Sequence, residues 1–186
     1  VSGAHTDLVL IKQHGNIELL GGTRDDAAGE CFDKCARLLG YDYPGGPKIS
    51  QLAEKGDPKA FQLPRPMADS KDFDLSFSGL KTAFMTLAKE KFLITNKPVH
   101  DVAFQWNHIV LENTLSESDK QVLRDLCASL EQSIIDVLVS KTLRAAKEYR
   151  VKSILLGGGV VANQKLRDEF QFKIENLKLK ISLSVP

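Results

Sequence analysis

The chain has no excess of charge of either sign: 25 Lys and Arg stand against 24 Asp and Glu in 186 residues. A net charge of +1 supplies no global field to draw in nucleic acid or an anionic membrane, so binding to either must come from local patches. No apolar run approaches the ~18 residues that a membrane-spanning helix needs, and no basic stretch leads into an apolar one as in a signal peptide. Cysteine is scarce. Cys31, Cys35 and Cys127 are an odd number, which fits a reducing compartment better than a disulfide framework, so the expected address is the cytoplasm. Cys31 and Cys35 lie four apart on a predicted helix, but no second Cys or His pair follows at ligand spacing, which favours small buried apolar residues over a metal site. What is present is 42% hydrophobic and 26% charged residues with 13 Gly and 7 Pro, the composition of a folded chain. At this length roughly 70% of the unfolded surface can be buried, so neither disulfides nor a structural metal are needed for a core.

The patterning predicts an α/β chain. Leu8–Ile11 and Ile17–Leu20 flank the turn His14-Gly15-Asn16, giving a β-hairpin over residues 1–20. Apolar positions recur at helical spacing from Asp25 to Leu39, with Gly40 as the stop. Tyr43-Pro44-Gly45-Gly46-Pro47 is predicted as a tight loop before a short helix over about Lys48–Lys55. Residues 56–74, with Pro58, Pro64 and Pro66, read as irregular, and Phe77–Phe92 as helix. Trp106, Ile109, Val110 and Leu111 hint at a short helix within residues 96–116. Asp119–Arg150 is strongly helical, as one helix or two. A strand–turn–helix–strand unit closes the chain, with Val151–Leu156, Gly157-Gly158-Gly159, Ala162–Asn176 and Leu177–Val185 in those roles and a parallel sheet expected. The chain opens on Val1 and stops at Pro186, directly in and after predicted strands, and both ends read as cut from a longer protein.

Three segments carry candidate chemistry. The Gly157-Gly158-Gly159 turn between strand and helix allows close backbone approach and offers helix N–H groups to an anion, although a tight turn explains the glycines about as well. Asn163 has a donor and an acceptor to read a base or ribose, or it caps the helix. Ser2-Gly3-Ala4-His5-Thr6, read as part of the first strand, supplies hydroxyl and imidazole groups beside a glycine, but no acidic partner makes His5 part of a triad. On the predicted acidic helix Asp26, Glu30 and Asp33 share a face and can meet a metal–phosphate group or a ribose, or they are dipole complements and solvated surface. Gly29 inside that helix costs up to ~1 kcal/mol relative to Ala, so close packing or a ligand must offset it.

Taken in order, Ser-Gly-Ala-His-Thr, Asp-Asp-Ala-Ala-Gly-Glu-Cys-Phe-Asp-Lys, Tyr-Pro-Gly-Gly-Pro, Phe-Asp-Leu-Ser-Phe-Ser-Gly-Leu-Lys-Thr over Phe73–Thr82, and Gly-Gly-Val-Val-Ala-Asn resemble the TsaD/Gcp family. Its members are tRNA threonylcarbamoyladenosine synthases once described as glycoproteases, and the Leu-Ser-Phe-Ser-Gly-Leu-Lys-Thr form resembles bacterial or organellar members. The resemblance implies an actin-like, Hsp70-like ATPase (RNase H-like) fold, of which this chain is the second lobe with a helical insertion, truncated at both ends. In that frame residues 1–47 hold hairpin, helix and Pro-Gly-Gly-Pro turn, 48–118 the insert, and 119–186 the remaining helices and the βαβ unit. The implied reaction is transfer of the threonylcarbamoyl group of threonylcarbamoyl-AMP to the N6 amine of the adenosine beside the tRNA anticodon. Carried over by motif, the adenylate-binding positions are Ser2, Gly3, Asp33, Gly46 and Asn163, with Val1, Ala4, His5, Glu30, Ser50, Gly158 and Gly159 beside them. The implied partners are tRNA, ATP or threonylcarbamoyl-AMP, a TsaB-like paralogue and a TsaE-like ATPase, with no membrane. Lys81 resembles the Gly-Leu-Lys-Thr lysine of the family; a tRNA-facing charge and a helix-surface charge are both open.

Two departures stand out. Ala4 replaces the second glycine of the family's Ser-Gly-Gly-His, placing a methyl where the acyl-phosphate is expected. The family's divalent metal, iron or zinc, takes ligands from a His-x-x-x-His motif and a Thr-Asp-Asn motif, and neither occurs here; His5, His14, His100 and His108 contain no pair four apart. The expectation is therefore that these residues alone are catalytically inactive, hold no metal, bind nucleotide weakly and expose apolar surface. The alternative is a non-catalytic nucleotide-binding or scaffolding member of the actin-like superfamily.

Overall fold

The computed structural model describes residues 1–93 and 115–185. The short helix expected within 96–116 falls almost wholly outside them. Two compact units emerge, one from Val1–Glu30, Arg65–Phe77 and the chain from Ile134 onward, the other from Cys31–Pro64 and the described part of Ser78–Ser133.

In the first unit β1 (Asp7–Gln13) and β2 (Asn16–Gly22) pair antiparallel through a two-residue turn whose Gly15 has φ 75°. The expected strand is shorter at its front. Residues 1–6 form a turn instead, because the Ser2 hydroxyl accepts from the His5 N–H at 3.0 Å and the Ser2 N–H reaches the His5 carbonyl at 2.7 Å. Local side-chain bonds of this kind divert the backbone from a ladder. Leu75 adds a parallel bridge to Thr23, its N–H donating to the Gly22 carbonyl at 2.9 Å. The Phe73–Phe77 part of the fourth motif is thus a third edge on the hairpin, held by Asp74, which accepts from Gly22 N–H and from Arg24.

Val9, Ile11, Ile17 and Leu19 are each 46–66% exposed on the hairpin, in the registered pairs Val9–Leu19 and Ile11–Ile17. Toward the C-terminus β3 (Ser153–Leu155) and β4 (Ser182–Ser184) pair in parallel across a 3-10 turn (Gly159–Ala162) and α5 (Gln164–Asn176). The parallel βαβ reading holds, with strands of three residues rather than six to nine. Leu166, Phe170 and Ile174 form the buried stripe of α5.

The second unit comprises α2 (Gly45–Ala53), α3 (Ser78–Leu93), the later part of α1 (Ala28–Leu38) and the earlier part of α4 (Glu117–Glu148). The helix α2 begins three residues ahead of the expected start. A first turn has no intrahelical use for its N–H groups, so Pro47 at the third position forfeits nothing. α4 is one helix, not two: no Gly or Pro interrupts it, and Leu126–Glu131 are buried at every position, so a helix sheathed on all sides needs no single apolar stripe. Leu123 is buried in the core, whereas Val122 beside it is only half-buried. Cys31, Cys35 and Cys127 are buried free thiols, and burial pushes the Cys35 thiol well above its ordinary pKa. No helix among the described residues is long and apolar enough to cross a membrane.

Candidate functional site

In the first unit the turn over residues 1–6 is wedged between two backbone segments. Gly29 N–H donates to the Ser2 carbonyl at 3.1 Å, and Ala28 N–H donates to the buried Thr6 hydroxyl at 3.0 Å, so two of the free N–H groups at the start of α1 are spent on this turn. A Cβ on Gly29 would stand 2.6 Å from the Ser2 carbonyl oxygen and 2.8 Å from the Gly3 backbone. That contact is the offset that the helical glycine demanded. On its other side Val1 N donates to the Gly157 carbonyl at 2.7 Å, and Val160 N–H donates to the Val1 carbonyl at 3.3 Å. Val1, Ser2, Gly3, Gly29 and Gly158 therefore meet through backbone alone.

The three glycines of the 157–159 turn have different reasons to be glycine. Gly158 has φ 97°, and its Cβ would run into the Val1 carbonyl. Gly157 and Gly159 are exposed, and a Cβ on either meets nothing within 4 Å. Packing demands the first and is indifferent to the other two. Asn163 Oδ1 accepts from Leu166 N–H at 2.8 Å and so caps α5; the cap uses the carbonyl oxygen and leaves the carboxamide nitrogen as the donor of that side chain. Ala4 and His5 are exposed, and His5 meets no carboxylate among the described residues.

The acidic segment divides its labour. Asp26 precedes α1 rather than lying on it and is only 9% exposed. Asp25 accepts from Ser76 Oγ at 2.6 Å and Phe77 N–H at 2.8 Å, a tie to the fourth motif instead of a complement to the helix dipole. Glu30, at the third position of α1, reaches back to Ala27 N–H at 3.2 Å, the reciprocal half of a capping box.

In the second unit Asp33 Oδ1 accepts from Gly45 N–H at 2.8 Å and supplies the cap that Pro44 cannot. Gly45 is buried, and a Cβ there would sit 3.0 Å from Asp33 Cα and against Ala36. Sequence reasoning singled out Gly46 and passed over Gly45; an aspartate twelve residues upstream of a Gly-Gly pair is the signal that pointed to it. Gly46 is half-buried, and a Cβ on it would meet only Phe32 Cβ at 3.8 Å, an ordinary contact. Ser50 lies one turn further along α2, half-buried. Lys81 is on α3, half-buried.

These motif positions coincide with one known family along nearly the whole chain. Residues 1–185 match TsaD: tRNA N6-adenosine threonylcarbamoyltransferase. The chain belongs to the TsaD family. Relatives called tRNA N6-adenosine threonylcarbamoyltransferase include those of Geobacillus kaustophilus, 43% identical over 186 residues, and Thermosipho africanus, 43% identical over 181 residues. These alignments cover 100% and 97% of this chain and 47% of each relative. A third, from Chromobacterium violaceum, is 44% identical over 167 residues, covering 90% of this chain and 43% of the relative. The chain thus spans about half the length of the curated relatives it matches. Its small sheets and helices are in keeping with an α/β member of the family.

Proposed function

We propose that this TsaD-family chain contributes adenylate-binding residues to a tRNA threonylcarbamoyltransferase with an actin-like fold, of which it is the second lobe with its helical insert. In the proposed reaction the N6 amine of the adenosine beside the anticodon attacks the carbamoyl carbon of threonylcarbamoyl-AMP. A C–N bond forms, the C–O bond to phosphate breaks, the amine loses a proton, and AMP leaves as an anion. Ser2, Gly3, Asp33, Gly46 and Asn163 are the proposed adenylate contacts, with the bare backbone of the 157–159 turn beside them.

The observation that carries the reading is the idleness of Gly46, Gly157 and Gly159. Each lacks a side chain that its own packing would accommodate. Bare backbone that the fold does not require suits close approach of a sugar or phosphate. Asp33 suits ribose hydroxyls, since a carboxylate with one oxygen on Gly45 N–H keeps further acceptor capacity. The Asn163 carboxamide, fixed by its cap, suits orientation of the nucleoside.

The family implies a divalent metal, but among the described residues no three His, Cys, Asp or Glu converge to hold one. The described residues do not fit that group. ATP or threonylcarbamoyl-AMP is the proposed nucleotide. A TsaB-like paralogue and a TsaE-like ATPase are the proposed partners, and the cytoplasm the proposed compartment.

The test is reconstitution. The full-length protein, with its partner proteins, labelled threonine, bicarbonate, ATP and unmodified tRNA, is expected to label the tRNA. Unlabelled tRNA in the presence of demonstrable adenylate binding would favour the scaffold instead.

A further inference from the structure

Two cations of α4 grip one irregular segment of the first unit. Lys141, almost wholly buried, donates from Nζ to Ser70 Oγ at 2.6 Å and to the Asp72 carbonyl at 2.8 Å, with Asp72 Oδ1 3.5 Å away. Three residues on, Arg144 donates to the Ser70 carbonyl at 2.6 Å and to the Asp72 carbonyl, and its guanidinium lies 4.9 Å from the centre of the Phe73 ring. Lysine is almost never fully buried unless paired, and even a well-paired buried charge does little more than offset its own desolvation. Stability alone would be served as well by an apolar side chain in that place. What the two cations add is one defined position for the backbone they hold.

From that grip, residues 70–77 run as a strap to the entry of α1. Phe73, Leu75 and Phe77 are buried in alternation with Asp74 and Ser76. Asp74 accepts from Gly22 N–H at 3.2 Å and from Arg24 Nε at 2.8 Å, and the strap ends where Ser76 Oγ and Phe77 N–H both donate to the Asp25 carboxylate. Asp25 stands three residues ahead of Ala28, the first residue of α1. The N–H groups of Ala28 and Gly29 in turn hold Thr6 Oγ1 and the Ser2 carbonyl. Lys141 and Ser2 are thus joined by an unbroken series of polar contacts, all within the first unit.

We infer that Lys141 and Arg144 are positioning residues for adenylate binding: through the strap and Asp25 they set the entry of α1, and with it the turn that presents Ser2 and Gly3. The inference rests on the adenylate-binding reading above. Neither residue touches the substrate, and neither lies in a motif that carries the family resemblance. Coupling of this kind requires a contiguous network, and substitutions along one shift affinity at its far end by about two- to thirtyfold.

The experiment uses the full-length protein and a stable threonylcarbamoyl-AMP analogue in calorimetry, with hydrogen exchange read by mass spectrometry. Lys141→Met keeps the length of the side chain and removes its donors; Arg144→Gln, at a half-buried position, carries the test should the first variant fail to fold. Each is expected to weaken the analogue by about two- to thirtyfold and to speed exchange both in residues 70–77 and in residues 25–30. Ile174→Ala, in the buried stripe at the far end of α5, removes core packing without touching the strap. It is expected to lower the melting temperature and leave the affinity unchanged. Asp25→Ala combined with Arg144→Gln should lose no more affinity than the larger of the two single losses, because both act along one route.

Unchanged affinity in a folded Arg144→Gln protein overturns the inference. So do faster exchange confined to residues 70–77, fully additive losses in the double variant, or an equal loss in Ile174→Ala. In each of these cases the parent still binds the analogue and the adenylate reading stands. A parent that binds no analogue overturns both.

Discussion

Gly29→Ala separates a glycine kept for packing from glycines kept for a ligand. In an unobstructed helix the change would stabilise by up to ~1 kcal/mol through propensity. Here the new methyl carbon stands 2.6 Å from the Ser2 carbonyl oxygen and 2.8 Å from Gly3 N and Cα, all backbone atoms that cannot swing aside as a side-chain tip can. Overpacking of this kind costs about 1–3 kcal/mol. The displaced turn also loses the Gly29 N–H to Ser2 bond, for about 0.5–1.5 kcal/mol more. Setting the propensity gain against these losses leaves a destabilisation of about 2 kcal/mol.

For a chain of this length that is a fall in Tm of about 4–8 °C, readable in a thermal melt followed by circular dichroism. Gly157→Ala and Gly159→Ala, whose methyl groups enter open space, should melt within about 0.5 kcal/mol of the parent while binding a stable threonylcarbamoyl-AMP analogue more weakly by calorimetry. A Gly29→Ala protein as stable as the parent, or more so, would refute the packing argument. Unchanged analogue affinity in both turn variants would refute the ligand argument.

Other substitutions divide in the same way. Gly45→Ala should destabilise by about 1–3 kcal/mol through its contacts with Ala36 and Asp33, whereas Gly46→Ala should spare the melt and weaken the analogue, as calorimetry would reveal. Asp33→Ala should weaken analogue binding by about 1.5–3 kcal/mol, and Asp33→Asn, which keeps an oxygen for Gly45 N–H, should retain the stability of α2 but lose the charge-assisted share of affinity; equal affinity in both variants would sink the assignment. The Cys35 thiol stays neutral in the fold well above pH 9 because burial raises its pKa, while in the unfolded chain it ionises near 9, so stability falls as pH rises through that window. The stability difference between the parent and Cys35→Ala should therefore shrink above pH 9 by up to about 1.4 kcal/mol per pH unit in urea titrations.

The elements whose signals are local were legible in the sequence. Gly15 and Gly40, both at positive φ, close the hairpin and end α1 where the turn residues predicted, and the parallel strand pair around α5 follows from a strand–turn–helix–strand order. The misreadings involve partners distant in sequence. α2 starts at Gly45 because Asp33 caps it from twelve residues away, a bond that no window over Tyr-Pro-Gly-Gly-Pro contains. The fourth motif looks like a functional signature, yet Asp74, Leu75 and Phe77 within it hold the hairpin and the start of α1 from about fifty residues downstream.

Shared motif residues consequently need not touch a substrate. Lys141 shows how far scaffolding alone can demand unusual residues. It is 1% exposed, donates to Ser70 Oγ at 2.6 Å and to the Asp72 carbonyl at 2.8 Å, and burial lowers its pKa. Arg144 joins it on the carbonyls of Ser70 and Asp72. Two cations are thus placed in helix α4 to fix the loop that leads into Phe73–Phe77. A residue whose contacts within its own unit already demand its type is explained by the fold. Asp25, Glu30, Gly29, Gly45 and Gly158 pass into that class. Gly46, Gly157 and Gly159 do not, and their bareness is what a ligand would have to explain.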